Sequence, residues 1–158
     1  MNQIKNKKAF TMIELIFVIV VIGILASVAI PRLAATRDDA FITKAMTMLT
    51  SIRNSLSIER QKRVLRGKFI QINALGSGTT VFGNFSDADG DTGVSVLEYP
   101  ELSSSDKYHW RRISDSDTYF CLSNTCSDDN TNRIKFQLSG GRFLCKSGPC
   151  STLGAVAE

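Results

Sequence analysis

A single carboxylate, that of Glu14, interrupts an apolar stretch that is long enough to cross a membrane. At about 1.5 Å of rise per residue, residues 10–30 span roughly 30 Å as a helix. A charge inside such a segment costs roughly 2.5–3.5 kcal/mol, so Glu14 indicates a charged partner, which we expect to be another copy of this segment. The alternative is a carboxylate that only suits the dipole at a helix N-terminus.

Alternating carboxylates in the run D-A-D-G-D-T-G could bind calcium. Asp87, Asp89 and Asp91 stand at the first, third and fifth positions of a loop pattern in which Glu98 is the twelfth. Oxygen ligands at this spacing suit Ca2+. An EF-hand requires glycine at the sixth position, where this chain has Thr92, so we expect another loop geometry. A solvated acidic turn is the alternative, because Asp and Gly dominate turns, and both interpretations stay open.

Four cysteines form two C-x4-C pairs: Cys121 with Cys126, and Cys145 with Cys150. In a reducing compartment this spacing would suggest a zinc ribbon, whereas disulfides persist outside the cytoplasm. If residues 133–138 form a strand between those holding Cys121 and Cys145, these two sulfurs lie two strand spacings apart. Strands are about 4.8 Å apart and bonded cysteines have Cα atoms within about 6.8 Å. We therefore predict the two local bridges, with zinc as the alternative.

The run K-Y-H-W-R-R mixes bases with aromatic rings. Such runs can bind nucleic acid through phosphate contacts and base stacking, here with Lys107, Arg111 and Arg112. The alternative, which we prefer, is a strand with a buried Trp110 and a solvated charged face. His109 is the only histidine in the sequence. Because neither a nucleophile nor a second base stands beside it, the sequence does not predict an enzyme.

The length of the chain and the distribution of its charges limit the classes of protein to which it can belong. A chain of 158 residues has room for one domain. Its net charge is +4, but Lys5, Lys7 and Lys8 lie in the first nine residues, and the remainder carries 16 basic and 15 acidic side chains. The excess is therefore a topology signal rather than a nucleic-acid footprint. Basic residues before an apolar span stay in the cytoplasm, which puts the C-terminal part outside it.

Beyond Pro31 the apolar pattern becomes amphipathic. Side chains spaced by three and four residues define one helical face, and they are Ile42, Ala45, Leu49, Ile52 and Leu56. By this pattern Lys44, Arg53 and Glu59 lie off the stripe. We therefore expect the stripe to pack on a small domain.

One helix is predicted from about residue 10 to residue 66, with Gly67 as its stop signal. Pro31 should kink this helix because proline has no backbone N–H, and Gly23 is a second weak point in helix propensity. An ordinary secretory signal peptide is the alternative. Glu14 and the helical pattern beyond Pro31 argue against it.

From Gly67 onward the composition shifts to small and polar residues with short β-type runs. Candidate strands, separated by turn signals, are residues 108–113, 118–122, 133–138 and 142–145. Their short connections favour antiparallel pairing. The sequence therefore predicts an α+β fold, in which a long N-terminal helix packs on a sheet of three or four antiparallel strands. Residues 67–107 give no clear pattern.

The N-terminal segment resembles the class III signal of type IV pilins and type II secretion pseudopilins. The family consensus G-F-T-[LM]-[IVL]-E-L is matched by F-T-M-I-E-L from Phe10 to Leu15, and Gly23 and Pro31 stand at the family's usual offsets. The family nearly always has glycine before the cleaved bond, where this chain has Ala9. Because alanine is also small, we expect the bond to be cleaved. Because alanine is not the usual glycine, we expect the cleavage to be slower. The resemblance covers about the first third of the chain.

The resemblance implies that prepilin peptidase cleaves between Ala9 and Phe10. The freed Phe10 amine, once methylated, would meet the Glu14 carboxylate of a neighbouring subunit and so set the axial register of a filament. Gly23 and Pro31 would bound a segment that can lose helicity during assembly. The expected parts are a leader peptide (1–9), a transmembrane and assembly helix (10–31), an amphipathic half-helix (32–66) and a periplasmic β-rich domain (67–158).

The function implied by the resemblance is structural. The chain would form a homo-oligomeric filament with other pilins or pseudopilins on an inner-membrane assembly platform. The small domain and the acidic run favour the major pseudopilin of type II secretion, a class that often carries calcium, although the resemblance does not identify the ligands. The alternatives are a competence or minor pilin that binds DNA for uptake, or a type IV pilus subunit. The expected location is the inner membrane, single-pass, with the C-terminal domain in the periplasm.

Overall fold

The computed structural model describes residues 10–87, 94–124, 126 and 132–158. The chain divides into two compact units, Met1–Ala40 and Phe41–Glu158. One long helix, α1, spans Met12–Leu65. It is followed by β1 (Ile72–Ala74), β2 (Thr80–Val81), β3 (Ser86–Asp87), β4 (Glu101–Leu102), β5 (Trp110–Arg112), β6 (Asp117–Cys121), β7 (Arg133–Ser139), β8 (Arg142–Ser147) and a 3-10 helix (Cys150–Leu153). The α+β prediction is confirmed.

The C-terminal end of α1 lies where Gly67 predicted it. Gly67 has φ +74°, a left-handed conformation that glycine adopts without steric cost. The N–H of Lys68 donates to the carbonyl of Arg63 at 2.9 Å, and the N–H of Gly67 donates to the carbonyl of Val64 at 3.0 Å. These two bonds form a Schellman motif, which satisfies carbonyls that the last helical turn leaves open. Pro31 lies inside α1.

The predicted stripe of α1 is buried, and it continues further than the apolar pattern indicated. Four of its residues are at most 3% exposed: Ala45, Leu49, Ile52 and Leu56. Glu59 and Arg63 extend the same spacing and are 3% and 4% exposed. The prediction that Glu59 lies off the stripe is therefore wrong. Glu59 is tolerated there because Arg63 Nε donates to its Oε1 at 3.0 Å, one helical turn away.

Strands β5 to β8 form one antiparallel sheet in sequential order. Strand β7 lies between β6 and β8, as the cysteine argument required. Its side chains alternate between the two faces, and those of Ile134, Phe136 and Leu138 are buried. The shorter strands pair as β1 with β3 and β2 with β4. The prediction of an antiparallel sheet of three or four strands is confirmed, and the sheet has four strands.

One hydrophobic core joins the stripe of α1 to the sheet. It includes Leu49 and Ile52 of the helix together with Trp110, Phe136 and Phe143 of the strands. The rings pack at specific angles, with the centroids of Trp110 and Phe136 5.5 Å apart and those of Phe136 and Phe143 5.2 Å apart. Aromatic pairs at such separations add to the stabilisation from burial alone. The core thereby fixes the sheet against the second half of the helix.

Strand β5 begins two residues later than predicted. Tyr108 has φ +63°, which lies outside the β region of backbone conformations. The N–H of His109 donates to the carbonyl of Asp106 at 3.2 Å, which closes a turn. Tyr108 therefore belongs to this turn, and its ring stacks on that of Phe41 with the centroids 5.5 Å apart.

Both edges of the four-stranded sheet are covered by other parts of the chain. On the β8 side, the carbonyl of Phe143 in β8 accepts a hydrogen bond from Arg53 of α1, and the carbonyl of Gly141, just before the strand, accepts one from Arg60. The carbonyl of Cys145 accepts one from the N–H of Glu158 at 3.0 Å. Along β5, the N–H of Ser104 donates to the carbonyl of Trp110, and the N–H of Arg112 donates to Ser103 Oγ.

Candidate functional site

The first part of α1 is an uncovered apolar surface. Its large apolar side chains from Phe10 to Leu33 are between 38% and 79% exposed. The helix contains an 18-residue window that is long and apolar enough to cross a membrane, and none of that window is buried. Such a surface cannot remain in water, because burying apolar area is the main favourable term in folding and association. It therefore requires lipid or another protein around it.

A capping box lies at the start of this surface. Thr11 Oγ1 accepts a hydrogen bond from the N–H of Glu14 at 3.3 Å, and Glu14 Oε2 accepts one from the N–H of Thr11 at 3.4 Å. Thr11 Oγ1 also donates to Glu14 Oε2 at 3.3 Å. This reciprocal pair satisfies backbone donors at a helix start. The spacing T-x-x-E from Thr11 to Glu14 is the sequence signature of this motif and could have predicted it.

The capping box fixes where the Glu14 carboxylate can act. Glu14 lies three residues after Thr11 in the first turn of α1 and is exposed. Only its Oε2 accepts a hydrogen bond among the described contacts. A carboxylate has about four lone-pair sites, so Glu14 can take a cationic partner without giving up the cap.

The structure describes three of the four other residues predicted to act in this segment, which are Phe10, Gly23 and Pro31. Ala9 lies outside the described residues. Phe10 precedes α1 and is 78% exposed. A Cβ added to Gly23 would meet nothing within 4 Å, so packing inside a single copy does not require glycine there. The roles predicted for Gly23 and Pro31 in assembly stay predictions.

The predicted calcium ligands lie mostly outside the described residues. Asp89 and Asp91 are among the undescribed positions, and Asp87 is described only as the last residue of β3. Glu98 is exposed. The described residues contain no group of three potential ligands that could hold a metal ion. The calcium hypothesis therefore stays a prediction.

All four cysteines are paired locally, as the strand-spacing argument predicted. The sulfurs of Cys121 and Cys126 are 2.18 Å apart, and those of Cys145 and Cys150 are 1.99 Å apart. The corresponding Cα atoms are 5.4 Å and 6.1 Å apart. All four residues are buried. The zinc alternative has no free thiol to use.

The residues of the basic and aromatic run contact other parts of the same chain. Trp110 is buried in the core, at 1% exposure. Arg111 donates to the carbonyl of Cys126, and Arg112 donates to the carbonyl of Gly78 and to Asp115. The ammonium of Lys107 lies 4.4 Å from the centroid of the Tyr108 ring. The buried indole agrees with the strand alternative.

His109 gives no support to a catalytic centre. Its Nδ1 lies 3.1 Å from the carbonyl of Lys107, and the side chain is exposed. No carboxylate or nucleophile within the described ranges forms a hydrogen bond with it. Within the described residues its hydrogen bonding is to backbone alone, which supplies no side chain that could assist proton transfer.

Comparisons with known proteins find one family model and several relatives that match part of the chain. Residues 4–30 match the family model of the prokaryotic N-terminal methylation motif. The chain is 33% identical over 58 residues to the type II secretion system core protein G of Vibrio cholerae serotype O1 and, to the same extent, to that of Escherichia coli K12. It is 40% identical over 55 residues to the fimbrial protein of Moraxella nonliquefaciens.

These matches cover a minority of each chain. The alignments with the two G proteins cover 37% of this chain and 40% of each relative. The alignment with the fimbrial protein covers 35% of this chain and 36% of the relative. No solved structure matches the chain significantly.

Proposed function

Because its residues 4–30 match the model of the prokaryotic N-terminal methylation motif and the chain is similar to type II secretion core protein G and to a fimbrial protein, we propose that this protein is a structural subunit of a pilus-like filament. Prepilin peptidase removes residues 1–9, and the Phe10 amine is methylated. The subunit is then stored in the inner membrane with its C-terminal domain in the periplasm. It then polymerises with copies of itself and with other pilins or pseudopilins. The machine we favour is type II protein secretion.

The observation that carries this proposal is a charged side chain on an otherwise apolar and uncovered helix. Glu14 lies between exposed apolar neighbours, with only Thr11 as its hydrogen-bond partner among the described residues. When such a helix is placed in lipid or packed among other helices, an unpaired carboxylate is costly. A cation at the same depth removes that cost. The amine of a neighbouring copy's Phe10 is a cation of this kind.

The position of the cleaved bond supports the same pairing from the side of the amine. Cleavage after Ala9 would leave the new α-amine two residues before the first residue of α1, Met12. The N-terminus of a helix carries about half a positive elementary charge, so a cation there is repelled. A carboxylate partner therefore stabilises the amine, just as a cation stabilises the Glu14 carboxylate. Methylation keeps the positive charge.

Substitution of Glu14 tests the proposal. Glu14→Ala removes the charge and the cap, whereas Glu14→Gln removes the charge and keeps the capping geometry, because glutamine also serves in a capping box. We expect both variants to insert into the membrane and neither to assemble. The measurements are the membrane fraction, for insertion, and the sheared filament fraction, for assembly. If Glu14→Gln assembles normally, Glu14 is only a cap and the pairing is refuted.

The choice between machines needs a different experiment. The similarity to the fimbrial protein favours a type IV pilus subunit as the second candidate. We would compare the culture-supernatant proteomes of the wild-type strain, a deletion strain and a Glu14→Ala strain. In a secretion machine, specific exoproteins would disappear from the medium and accumulate in the periplasm of both mutants. Unchanged profiles, together with missing surface pili, would instead identify a pilus subunit.

The DNA-uptake alternative remains a prediction that rests on Lys107, Arg111 and Arg112. The guanidinium groups of both arginines already contact other parts of the chain, which does not favour it. The double variant Arg111→Ala/Arg112→Ala would test it. Loss of DNA binding by a folded variant would favour the competence function over secretion.

A further inference from the structure

A groove of about 480 Å3 lies between α1, strand β8 and the C-terminal residues. Three guanidinium groups line it: Arg53 and Arg60 come from α1, and Arg142 comes from β8. Glu158 is the one acidic side chain among the described residues that line it. The lining side chains thus carry three positive charges and one negative charge.

Two of the three arginines are held by hydrogen bonds to backbone, and none of the three is paired with a carboxylate in the described residues. Arg53 Nε donates to the carbonyl of Phe143 at 3.3 Å, and Arg60 Nη1 donates to the carbonyl of Gly141 at 3.4 Å. A guanidinium has five N–H donors, so most donors remain open. Among the ion pairs of the described residues, none involves any of these three arginines. A groove of this kind attracts an anionic group.

The sequence itself contains a complementary segment. Residues 41–83 carry seven basic side chains and one acidic side chain, whereas residues 84–106 carry six acidic side chains and no basic one. Within the described part of this acidic segment, Glu98 is exposed and Tyr99 is 80% exposed. Asp106 is also exposed, and its carboxylate accepts a hydrogen bond from Ser104. Separation of charge along one chain favours head-to-tail contact between copies, because opposite patches attract and like patches repel.

We propose that the arginine groove of one subunit binds the acidic segment, residues 84–106, of the next subunit. This inference rests on the proposed function, since it names a contact surface within the filament. The contact uses two different patches, so it is heterologous and leaves a free groove and a free acidic segment at the two ends. Such an interface can repeat without limit, as growth of a filament requires.

Charge reversal in the full-length protein tests the contact. Arg60→Glu/Arg142→Glu should lower filament yield about tenfold or more, because it places like charges opposite each other. Glu98→Arg/Asp106→Arg should do the same. The combined variant, with all four residues reversed, should recover assembly because attraction is restored with the signs exchanged. Lys62→Glu/Arg66→Glu changes the charge equally at exposed residues outside the groove and should assemble as wild type.

Cross-linking tests the contact without reversing any charge. Arg142→Lys keeps the positive charge and provides an amine that a carbodiimide can couple to a carboxylate. Mixed 14N- and 15N-labelled copies distinguish links between subunits from links within one. We expect mixed-isotope peptides that join residue 142 to residues 84–106. All experiments are run with calcium and with chelator, because Glu98 also belongs to the calcium hypothesis.

The outcomes separate this inference from the proposed function. If the groove-reversed variant assembles like wild type while Glu14→Ala does not, the groove contact is refuted and the filament function stands. If the four-residue variant fails to recover assembly and no cross-link reaches residues 84–106, the occupant is not this segment and the inference is also refuted. If wild-type protein does not form filaments, the proposed function itself is wrong.

Discussion

Glu14 can cap its own helix and pair with a neighbour because the two contacts differ in strength and in the oxygen they use. The cap by Thr11 occupies Oε2 and is worth about 0.5–2 kcal/mol. A cap satisfies backbone N–H groups but leaves the negative charge in place, and a charge inside an apolar span is costly. A cation is therefore still needed. The hydrogen bonds with Thr11 position the Glu14 carboxylate in the first turn of the helix, where it can pair with a cation.

Individual residues were predicted well where a single physical rule decided their surroundings. Strand spacing decided the cysteine pairs, and the volume and apolarity of Trp110 decided its burial. The capping box was not predicted, because the expectation for Glu14 rested on its charge alone. The motif depends instead on the hydrogen bonds that its carboxylate accepts. Glu59 was misplaced because only apolar residues were counted in the stripe. A buried ion pair at i and i+4 satisfies helical spacing equally well.

The two disulfides should stabilise the fold by limiting the unfolded chain. Each closes a loop with a sequence separation of 5, for which the loss of chain entropy predicts about 2 kcal/mol. We expect Cys121→Ser/Cys126→Ser and Cys145→Ser/Cys150→Ser each to lower the free energy of unfolding by about that amount or more, since the new hydroxyls would be buried. Urea unfolding of the full-length protein in detergent measures this. Unchanged unfolding midpoints would show that the bridges do not stabilise the domain.

At the level of elements, the helix and the four-stranded sheet followed from local patterns, but the strands between them did not. The segments β1 to β4 have only two or three residues each. Their pairing partners lie at a distance in sequence, as when Thr80 of β2 pairs with Leu102 of β4. Such short runs contain too few residues for an alternation to be recognised. Tertiary pairing, rather than local preference, determines them.

Removing one partner of the buried Glu59–Arg63 ion pair should lower the free energy of unfolding more than replacing both partners by apolar residues. Arg63→Leu would leave the Glu59 carboxylate buried without its cation, and Glu59 Oε2 already has no hydrogen-bond partner. We expect a loss of about 3–5 kcal/mol in the free energy of unfolding. Glu59→Leu/Arg63→Leu should recover most of it, because an apolar pair suits the site. Chemical denaturation of both variants measures the difference, and equal losses would contradict the argument.

At the level of the whole molecule, calcium would link the acidic run to global stability. If Asp87, Asp89, Asp91 and Glu98 bind the ion only in the folded state, calcium at one hundred times its dissociation constant adds about 2.7 kcal/mol. We therefore expect chelation to lower the melting temperature of the full-length protein. Asp89→Asn/Asp91→Asn should melt as the chelated wild type does, with or without calcium. A melting temperature that does not respond to calcium would remove the hypothesis.

The whole chain combines one uncovered surface with one closed domain. The apolar side chains from Phe10 to Leu33 need a partner, whereas the core of the unit Phe41–Glu158 is complete within the chain. Sequence patterns identified both, because hydrophobicity alone separates a membrane-length run from an amphipathic stripe. They could not identify the arginine groove, since its three guanidinium groups come from segments that only the fold brings together.

The covered edges of the sheet limit how this protein can aggregate. A free strand edge invites another chain to pair with it, and repeated pairing leads to amyloid. Here Arg53 donates to a carbonyl of β8, Arg60 donates to the carbonyl of Gly141 just before that strand, and the N–H of Ser104 donates to the carbonyl of Trp110 in β5. If copies of the chain polymerise as proposed, these contacts would keep them from pairing with one another through their sheets. Polymerisation should leave the amide I infrared band of the β-structure unchanged, and the fibres should not bind thioflavin T.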